Sequence, residues 1–184
     1  GPVYSGAQFL AEGIADTADS LASIKHFVYD TKKYTMSEII DALKSDFEGY
    51  YDMHKEFSAF PKFGNADSYV DDIYKEVIEH FYKYLLTIPT WRGGTFTGGC
   101  STYNRAANYG KAIGALPNGK RKGSEIFAES IGAVPGCDKK GPTALLKSAL
   151  VFDHTLAKSG SVLQLKFPKK IFVSEKGMNG FEKL

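Results

Sequence analysis

One turn-rich stretch of the chain reads Gly114-Ala115-Leu116-Pro117-Asn118-Gly119-Lys120-Arg121-Lys122-Gly123. Two further phrases lie on either side of it, Arg92-Gly93-Gly94 upstream and Gly141-Pro142-Thr143-Ala144-Leu145-Leu146-Lys147-Ser148 downstream. Proline fixes its own φ angle and glycine tolerates positive φ, so Pro117-Asn118-Gly119 is typical of a tight turn. The stretch therefore predicts a structural turn.

The same stretch also matches part of a phosphate-binding loop. Gly114, Gly119 and Lys120 fit the pattern Gly-x-x-x-x-Gly-Lys, whose backbone N–H groups surround phosphate. Position 121 is Arg, which lacks the hydroxyl that binds magnesium, and Pro117 removes one N–H donor. The sequence favours a structural turn over a nucleotide site.

Together and in this order, the three phrases resemble the carboxyl-terminal part of the catalytic domain of the glycyl radical enzymes, the pyruvate formate-lyase-like family. The turn is similar to the Gly-Ala-Thr-Pro-Asp-Gly-Arg turn of that family, with Leu116, Asn118 and Lys120 as departures. Upstream, two more phrases are similar to phrases of the family, Ala18-Asp19-Ser20-Leu21-Ala22-Ser23-Ile24-Lys25 and Asp46-Phe47-Glu48-Gly49-Tyr50. The resemblance covers nearly the whole chain.

The resemblance implies an α/β fold in which this chain forms part of a ten-stranded α/β barrel, with helices predominating. We expect residues 1–184 to be a single segment of the catalytic domain, mainly helical over 1–89 and built of loop, strand and helix over 90–184. The chain begins at Gly1-Pro2 without a methionine, which is expected either of an engineered terminus or of an excised piece of a longer polypeptide.

The resemblance also implies a function for the parent enzyme: a radical lyase or dehydratase that cleaves a C–C, C–O or C–N bond of a small metabolite, or a formate acetyltransferase-like enzyme, in anaerobic metabolism. Such enzymes carry a radical glycine in an Arg-Val-x-Gly-Tyr-like motif and a thiyl cysteine in a Gly-Cys-x-Glu-like loop. Neither string occurs in these 184 residues. We therefore expect this segment to supply barrel wall and pocket lining, with no catalytic residue and no metal ligand, and to be inactive alone.

Partners and cofactors follow from the same resemblance. The parent is expected to carry a glycyl radical installed by an S-adenosylmethionine iron–sulfur activase, to be a homodimer, and to bind a small-molecule substrate. The chain itself is expected to hold no cofactor and to pack against the remainder of its parent. The alternative is a stand-alone, non-catalytic binding or accessory protein derived from the same barrel.

Composition limits the other classes of protein. The chain is 43% hydrophobic, enough for one buried core, and its 23 Lys and Arg nearly balance its 21 Asp and Glu. The only dense basic run, Lys120-Arg121-Lys122, is more typical of a solvated loop tip than of a nucleic-acid site. No apolar run reaches the roughly 20 residues that span a bilayer, and two cysteines cannot form the disulfide framework of a small secreted domain. We expect a cytoplasmic protein without a nucleic-acid or membrane partner.

Apolar residues three or four positions apart predict helices near 9–29, 36–46, 67–87 and 142–154. Thr35 and Glu38 form a predicted capping box, Asp67 caps the third helix, and Pro142 suits the first turn of the fourth. Strands are predicted near 95–104 and 161–167.

The long helix 67–87 has a predicted buried stripe and a predicted polar face. The stripe comprises Val70, Ile73, Val77, Ile78, Phe81 and Leu85. The polar face holds Asp71, Asp72, Glu76 and Glu79, interleaved with lysines, and is interpreted as a solvated face with ion pairs rather than an acid–base pair.

The strand around Cys100 is where the resemblance predicts a site. Barrel strands of the family present inward side chains to substrate, so Phe96, Ser101, Tyr103 and Asn104 are predicted to line the pocket. Side chains alternate across a strand, so Ser101 and Tyr103 share one face and Asn104 lies on the other. At most one of these two sets lines the interior.

Cys100 itself has two interpretations, a nucleophile paired with a histidine or a buried structural residue. Nothing in the spacing brings a histidine to it, and free cysteine is among the most buried residue types, so the structural interpretation is favoured. The four histidines are His26, His54, His80 and His154. His154 follows the fourth predicted helix, where it can interact with the carbonyls of the helix end.

Overall fold

The computed structural model of the chain describes residues 6–101, 105–128 and 130–183. The elements, in chain order, are β1 (Gln8–Leu10), α1 (Ile14–Ile24), α2 (Met36–Lys44), α3 (Tyr51–Ala59), α4 (Ser68–Leu85), β2 (Thr97–Gly99), α5 (Ala106–Ala112), α6 (Pro142–Ala149) and α7 (Glu175–Phe181). A π-helix, Lys25–Asp30, extends α1, and 3-10 turns form at His154–Leu156 and Lys169–Ile171. The four predicted helices are all present, and each α-helix is shorter than its predicted range.

Three of the four predicted helix starts are confirmed, two by capping side chains and one by a proline in the first turn. The Thr35 N–H donates to Glu38 Oε2 at 2.7 Å and the Glu38 N–H donates to Thr35 Oγ1 at 3.2 Å, which completes the capping box. Asp67 Oδ1 accepts from the Tyr69 N–H at 3.1 Å at the start of α4, and Pro142 occupies the first turn of α6. These local signals fixed where three helices begin.

The prediction that the first helix starts at residue 9 is wrong. Gln8–Leu10 forms a strand instead, and Gly13, with φ at 70°, separates it from α1. Phe9 and Leu10 happen to fit the helical spacing of the residues after them. Because two strand residues can match a helical stripe by chance, periodicity alone did not locate this boundary.

The long helix α4 buries a different stripe from the predicted one. Its fully buried side chains include Tyr74 and Tyr82, which the prediction omitted, whereas Ile73, Val77 and Phe81 are only partly buried. The two tyrosines share a face with Val70, Ile78 and Leu85. The helix therefore presents a row of residues spaced by four, Val70, Tyr74, Ile78 and Tyr82, to the core and leaves part of the predicted aliphatic stripe at the edge.

Asp71 is a second correction on α4. It was assigned to the solvated face, but it is 5% exposed, and the Ser148 hydroxyl donates to its Oδ2 at 3.0 Å. Asp72 and Glu76 are exposed as predicted, and Glu79 pairs with Lys83 at 2.8 Å. A hydroxyl on α6, distant in sequence, makes the burial of Asp71 possible.

Helix α6 ends at Ala149, five residues before the predicted end. His154 lies in the following 3-10 turn, and its Nε2 donates to the Ala149 carbonyl at 2.8 Å. The imidazole thus binds the last carbonyl of α6, as expected for a residue at a helix C-terminus.

The described strands are few. β1 pairs with β2 in parallel, Phe9 opposite Gly98, and a parallel bridge joins Cys100 to Ser161. The prediction of a strand over 161–167 is wrong beyond that bridge. In that segment Leu163, Leu165 and Phe167 are half-buried, and this one-sided burial explains the apolar alternation that suggested a strand.

A tight hairpin precedes β2. An antiparallel bridge joins Pro89 to Thr95, and Gly93-Gly94, both with φ above 80°, closes the turn. Trp91 is 86% exposed at its tip, and the Arg92 guanidinium lies 4.3 Å from the centre of its indole ring. The glycines of the Arg-Gly-Gly phrase are therefore explained by backbone conformation.

Two clusters of buried side chains form the core. The larger joins α1, α4, Cys100 and the segment 128–157, and the smaller, rich in phenylalanine, lies beneath the π-helix, α2 and α3. Helices α1 and α4 pack against each other, and α4 covers one face of β2.

Candidate functional site

The orientation of β2 distinguishes two faces of the wall. Gly98 lies against the ring of Tyr82, and Cys100 is fully buried in the same cluster. Because side chains alternate along a strand, Thr97, Gly99 and Ser101 project to the face away from α4. A pocket built on this wall would lie on that second face.

Cys100 is a structural residue. Burial, with a smaller contribution from the negative charge of Glu12, raises the pKa of its thiol to about 12. A thiol with such a pKa is neutral near pH 7 and is a poor nucleophile. The structural interpretation of Cys100 agrees with this environment.

Two grooves meet at Phe127. The first groove, about 650 Å³, lies between the segments 127–142 and 164–171. The second groove, about 720 Å³, lies between β1 and α5. The first is lined by residues that include Phe127, Ser130, Asp138, Leu145, Leu165 and Phe167. The second is lined by Gln8, Phe9, Leu10, Glu12, Arg105, Tyr109, Ile113 and Phe127.

The chemistry of the grooves is mixed. Aromatic and aliphatic side chains dominate the lining, with a hydroxyl, carboxylates and an arginine among them. Small-molecule sites commonly combine an apolar lining with a few polar groups that orient the ligand. Phe127, 8% exposed and shared by both grooves, is the residue that joins them.

The predicted pocket residues are only partly placed. Phe96 is half-buried, with its ring centre 5.2 Å from that of Phe9, and Ser101 is half-buried on the face away from α4. Tyr103 and Asn104 lie outside the described residues. Assignment of these four residues to a substrate pocket remains a prediction.

Sequence reasoning missed Phe127. It lies between Gly123 and Gly132 in a segment without regular periodicity, so no pattern marked it as a wall residue. The only available signal was an isolated aromatic residue among polar and small ones, and that signal does not separate a core residue from a site residue.

The turn at residues 114–123 is structural. Gly119 has φ at 91°, and its N–H donates to the Leu116 carbonyl at 3.0 Å. Lys120 directs its ammonium to the Gly110 carbonyl at 2.9 Å, and Arg121 donates to the Asp46 carbonyl at 3.0 Å. The interpretation as a structural turn is confirmed. The expected solvated tip is wrong for Lys120 and Arg121, which are half-buried and bonded to the chain.

Two further carboxylates, those of Asp19 and Asp71, are buried in unusual environments. Asp19 is fully buried; its Oδ1 accepts from the Phe63 N–H at 2.7 Å, whereas its Oδ2 has no hydrogen-bond partner. Burial raises the pKa of Asp19 to about 7. Burial also raises the pKa of Asp71. Because both pKa values are raised in the folded chain, the free energy of unfolding depends on pH through both groups. Neither residue lines the two grooves at Phe127.

Among the described residues there is neither a metal-site cluster nor a membrane-spanning helix. Within residues 6–101, 105–128 and 130–183, no cluster of three or more His, Cys, Asp or Glu side chains has an arrangement suited to a metal ion. Among the helices in those ranges, none is long and apolar enough to cross a bilayer.

Comparison with known proteins identifies the family. The family model "Pyruvate formate lyase-like" matches residues 1–110, which is more than half of the chain. The chain belongs to the pyruvate formate lyase-like family.

Relatives within this family match this chain over nearly all of its length. It is 33% identical over 183 residues to the (2S)-3-sulfopropanediol dehydratase of Klebsiella oxytoca, covering 96% of this chain and 22% of that protein. The glycerol-bound structure of the B12-independent glycerol dehydratase from Clostridium butyricum superposes with a TM-score of 0.92 at 28% identity, over 100% of this chain and 23% of that one. A glycyl radical enzyme from Archaeoglobus fulgidus gives 0.90 at 30% identity, over 100% and 23%.

The expected fold class is confirmed by these superpositions, since the structure is that of a segment of the family's α/β barrel. The chain spans less than a quarter of the length of these relatives.

Proposed function

We propose that this chain is a wall segment of a glycyl radical dehydratase or lyase, a parent enzyme that cleaves a bond of a small metabolite. The observation that carries the proposal is the superposition of the whole chain on a B12-independent dehydratase with a TM-score of 0.92. The segment contributes the sheet face away from α4 and the grooves at Phe127, and contributes no radical-bearing residue.

The physical role of such a wall is enclosure. A protein radical survives only where water and oxygen are excluded, which requires a closed and rigid cavity. Aromatic side chains at the grooves exclude water, and the polar groups among them orient a small polar substrate. The parent enzyme carries a glycyl radical installed by an S-adenosylmethionine iron–sulfur activase, assembles as a homodimer and acts in the cytoplasm.

The test uses the complete reading frame that encodes this chain. The encoded protein, treated anaerobically with an activase and S-adenosylmethionine, is expected to show a glycyl radical in electron paramagnetic resonance and to turn over a small alcohol or amino alcohol. The 184-residue chain alone, treated identically, is expected to show neither. A radical in the isolated chain, or a complete reading frame without a radical glycine and a thiyl cysteine, would contradict the proposal and favour an accessory protein.

A further inference from the structure

The start of α1 holds the residue that joins the two grooves. The Gly13 N–H donates to the Ala128 carbonyl at 2.9 Å, and the Ala128 N–H donates to Asp16 Oδ2 at 2.8 Å. The ring of Phe127 lies directly on Gly13, where a Cβ atom would overlap it. The backbone at Ala128 is therefore fixed from both its N–H and its carbonyl, and Phe127 is fixed with it.

Asp16 also holds the turn. The Asn118 side-chain amide donates to Asp16 Oδ1 at 2.9 Å, and Asn118 Oδ1 accepts from the Lys120 N–H at 2.9 Å. Because a backbone N–H can only donate, the bond to Lys120 fixes which way the amide points. Asp16 and Asn118 are 3% and 7% exposed, so this pair is buried and both carboxylate oxygens have partners.

We infer that Asp16 is a positioning residue for the groove wall. Asp16 and Asn118 form a matched carboxylate–amide pair, in which the carboxylate can occupy either position 16 or position 118. Exchanging the two residues keeps all three bonds. An amide at position 16 accepts from Ala128 with its oxygen and donates to position 118 with its nitrogen, and a carboxylate at 118 accepts both from that nitrogen and from Lys120. The role at the grooves rests on the proposed function; the pair itself does not.

The inference has a consequence for relatives. Two carboxylates at the distance of Asp16 and Asn118 cannot both be ionised without a large cost. Relatives with Asp in the turn are therefore expected to carry an amide at the position of Asp16. An alignment in which Asp occupies both positions in most relatives would count against the exchange.

The surroundings of Asp16 determine how the pair responds to pH. Lys120 on the turn favours the ionised carboxylate, burial opposes it, and Asp19 on α1 and Cys137 on the facing loop are its other titratable neighbours. Asn118→Asp brings a second carboxylate against Asp16, so one proton must be shared. Its stability relative to the unchanged protein is expected to rise as the pH falls from 8 to 5.

The experiment is a cycle of D16N, N118D and the exchanged double variant, measured on the 184-residue chain. Each single variant is expected to lower Tm at pH 7.5 by roughly 4–10 °C, and the exchange to restore it to within about 2 °C. In D16N the single amide oxygen can accept from Ala128 or from Asn118 but not from both, and an Asn118 that flips to compensate loses its bond to the Lys120 N–H. Amide exchange at Ala128 or at Lys120 should therefore be at least roughly tenfold faster in D16N and return to normal in the exchange. Asp72→Asn, at an exposed carboxylate of α4, is the matched control and is expected to change neither.

Rescue by the exchange distinguishes a matched pair from a merely intolerant site. If the double variant is as unstable as the worse single variant, or if amide exchange at both Ala128 and Lys120 in D16N equals that of the unchanged chain, the inference is wrong. None of these measurements depends on radical chemistry, so they fail or succeed independently of the proposed function.

Discussion

The helical half of the chain, up to Leu85, and the loop-rich half that follows it are stabilised in different ways. Helices α2 and α4 begin at capping side chains of their own, Thr35 and Asp67, whereas α1 and α3 begin without a side-chain cap. Backbone groups of the loop-rich half are bound at several points by polar side chains from the first half of the chain. Ala128 is bound by Asp16, the Ile131 carbonyl by the Tyr74 hydroxyl, and the Cys137 carbonyl by Asn65. The starts of α2 and α4 are set by neighbouring residues, whereas the groove wall is placed by contacts distant in sequence.

The largest effect is expected where one helix residue holds the loop-rich half. Tyr74 is fully buried, stacks on Phe63 with ring centres 3.7 Å apart, and donates to the Ile131 carbonyl at 3.1 Å. Tyr74→Ala leaves a cavity and an unpaired carbonyl and should lower the free energy of unfolding by about 3–5 kcal/mol. Urea denaturation followed by far-UV circular dichroism measures it. Tyr84→Ala, at a 59% exposed tyrosine of α4, is the control. If the two variants lose similar free energies of unfolding, the distinction between the two halves of the chain is wrong.

A smaller, pH-dependent effect is expected at Asp19. Its pKa is raised from 3.8 to about 7 in the folded chain. The folded state therefore binds the proton more tightly than the unfolded state. Through Asp19, the free energy of unfolding falls as the pH rises from 3.8 to about 7 and is constant above that range. Asp19→Asn cannot ionise, and its amide oxygen can still accept from Phe63.

The stability of D19N relative to the unchanged chain should rise by about 2 kcal/mol between pH 5 and pH 8. Thermal and urea unfolding at both pH values measure the difference. Asp52→Asn, at an exposed carboxylate on α3, is the matched control. A D19N difference that is constant would show that Asp19 is ionised throughout.

The smallest effect is expected at a local signal. Thr35→Ala removes the hydroxyl that accepts from Glu38 and should cost about 1 kcal/mol. The loss should leave amide exchange in the loop-rich half unchanged relative to global stability, because nothing there depends on this cap. Ser37→Ala, on the same exposed helix start, should change stability by less than about 0.5 kcal/mol. Loosening of Ala128 in Thr35→Ala would show that the two halves are more tightly coupled than their contacts indicate.

The same contrast explains what could be predicted from sequence. The starts of α2, α4 and α6 were predictable because capping residues lie within four positions of the helices they stabilise. The fold class came from the resemblance of the quoted phrases. The burial of Asp71 and the place of Phe127 were not predictable, because each depends on a partner such as Ser148 or Gly13 that lies far away in sequence. Short-range patterns carry no information about such pairs.

The hairpin at residues 89–95 has a spectroscopic consequence. Trp91 is the only tryptophan of the chain, and it already faces solvent in the folded state. Its emission should change little when this chain unfolds, so intrinsic fluorescence would underreport denaturation. The same indole would shift to shorter wavelength when another polypeptide covers the hairpin. The emission wavelength of Trp91 therefore reports whether another polypeptide packs against the hairpin.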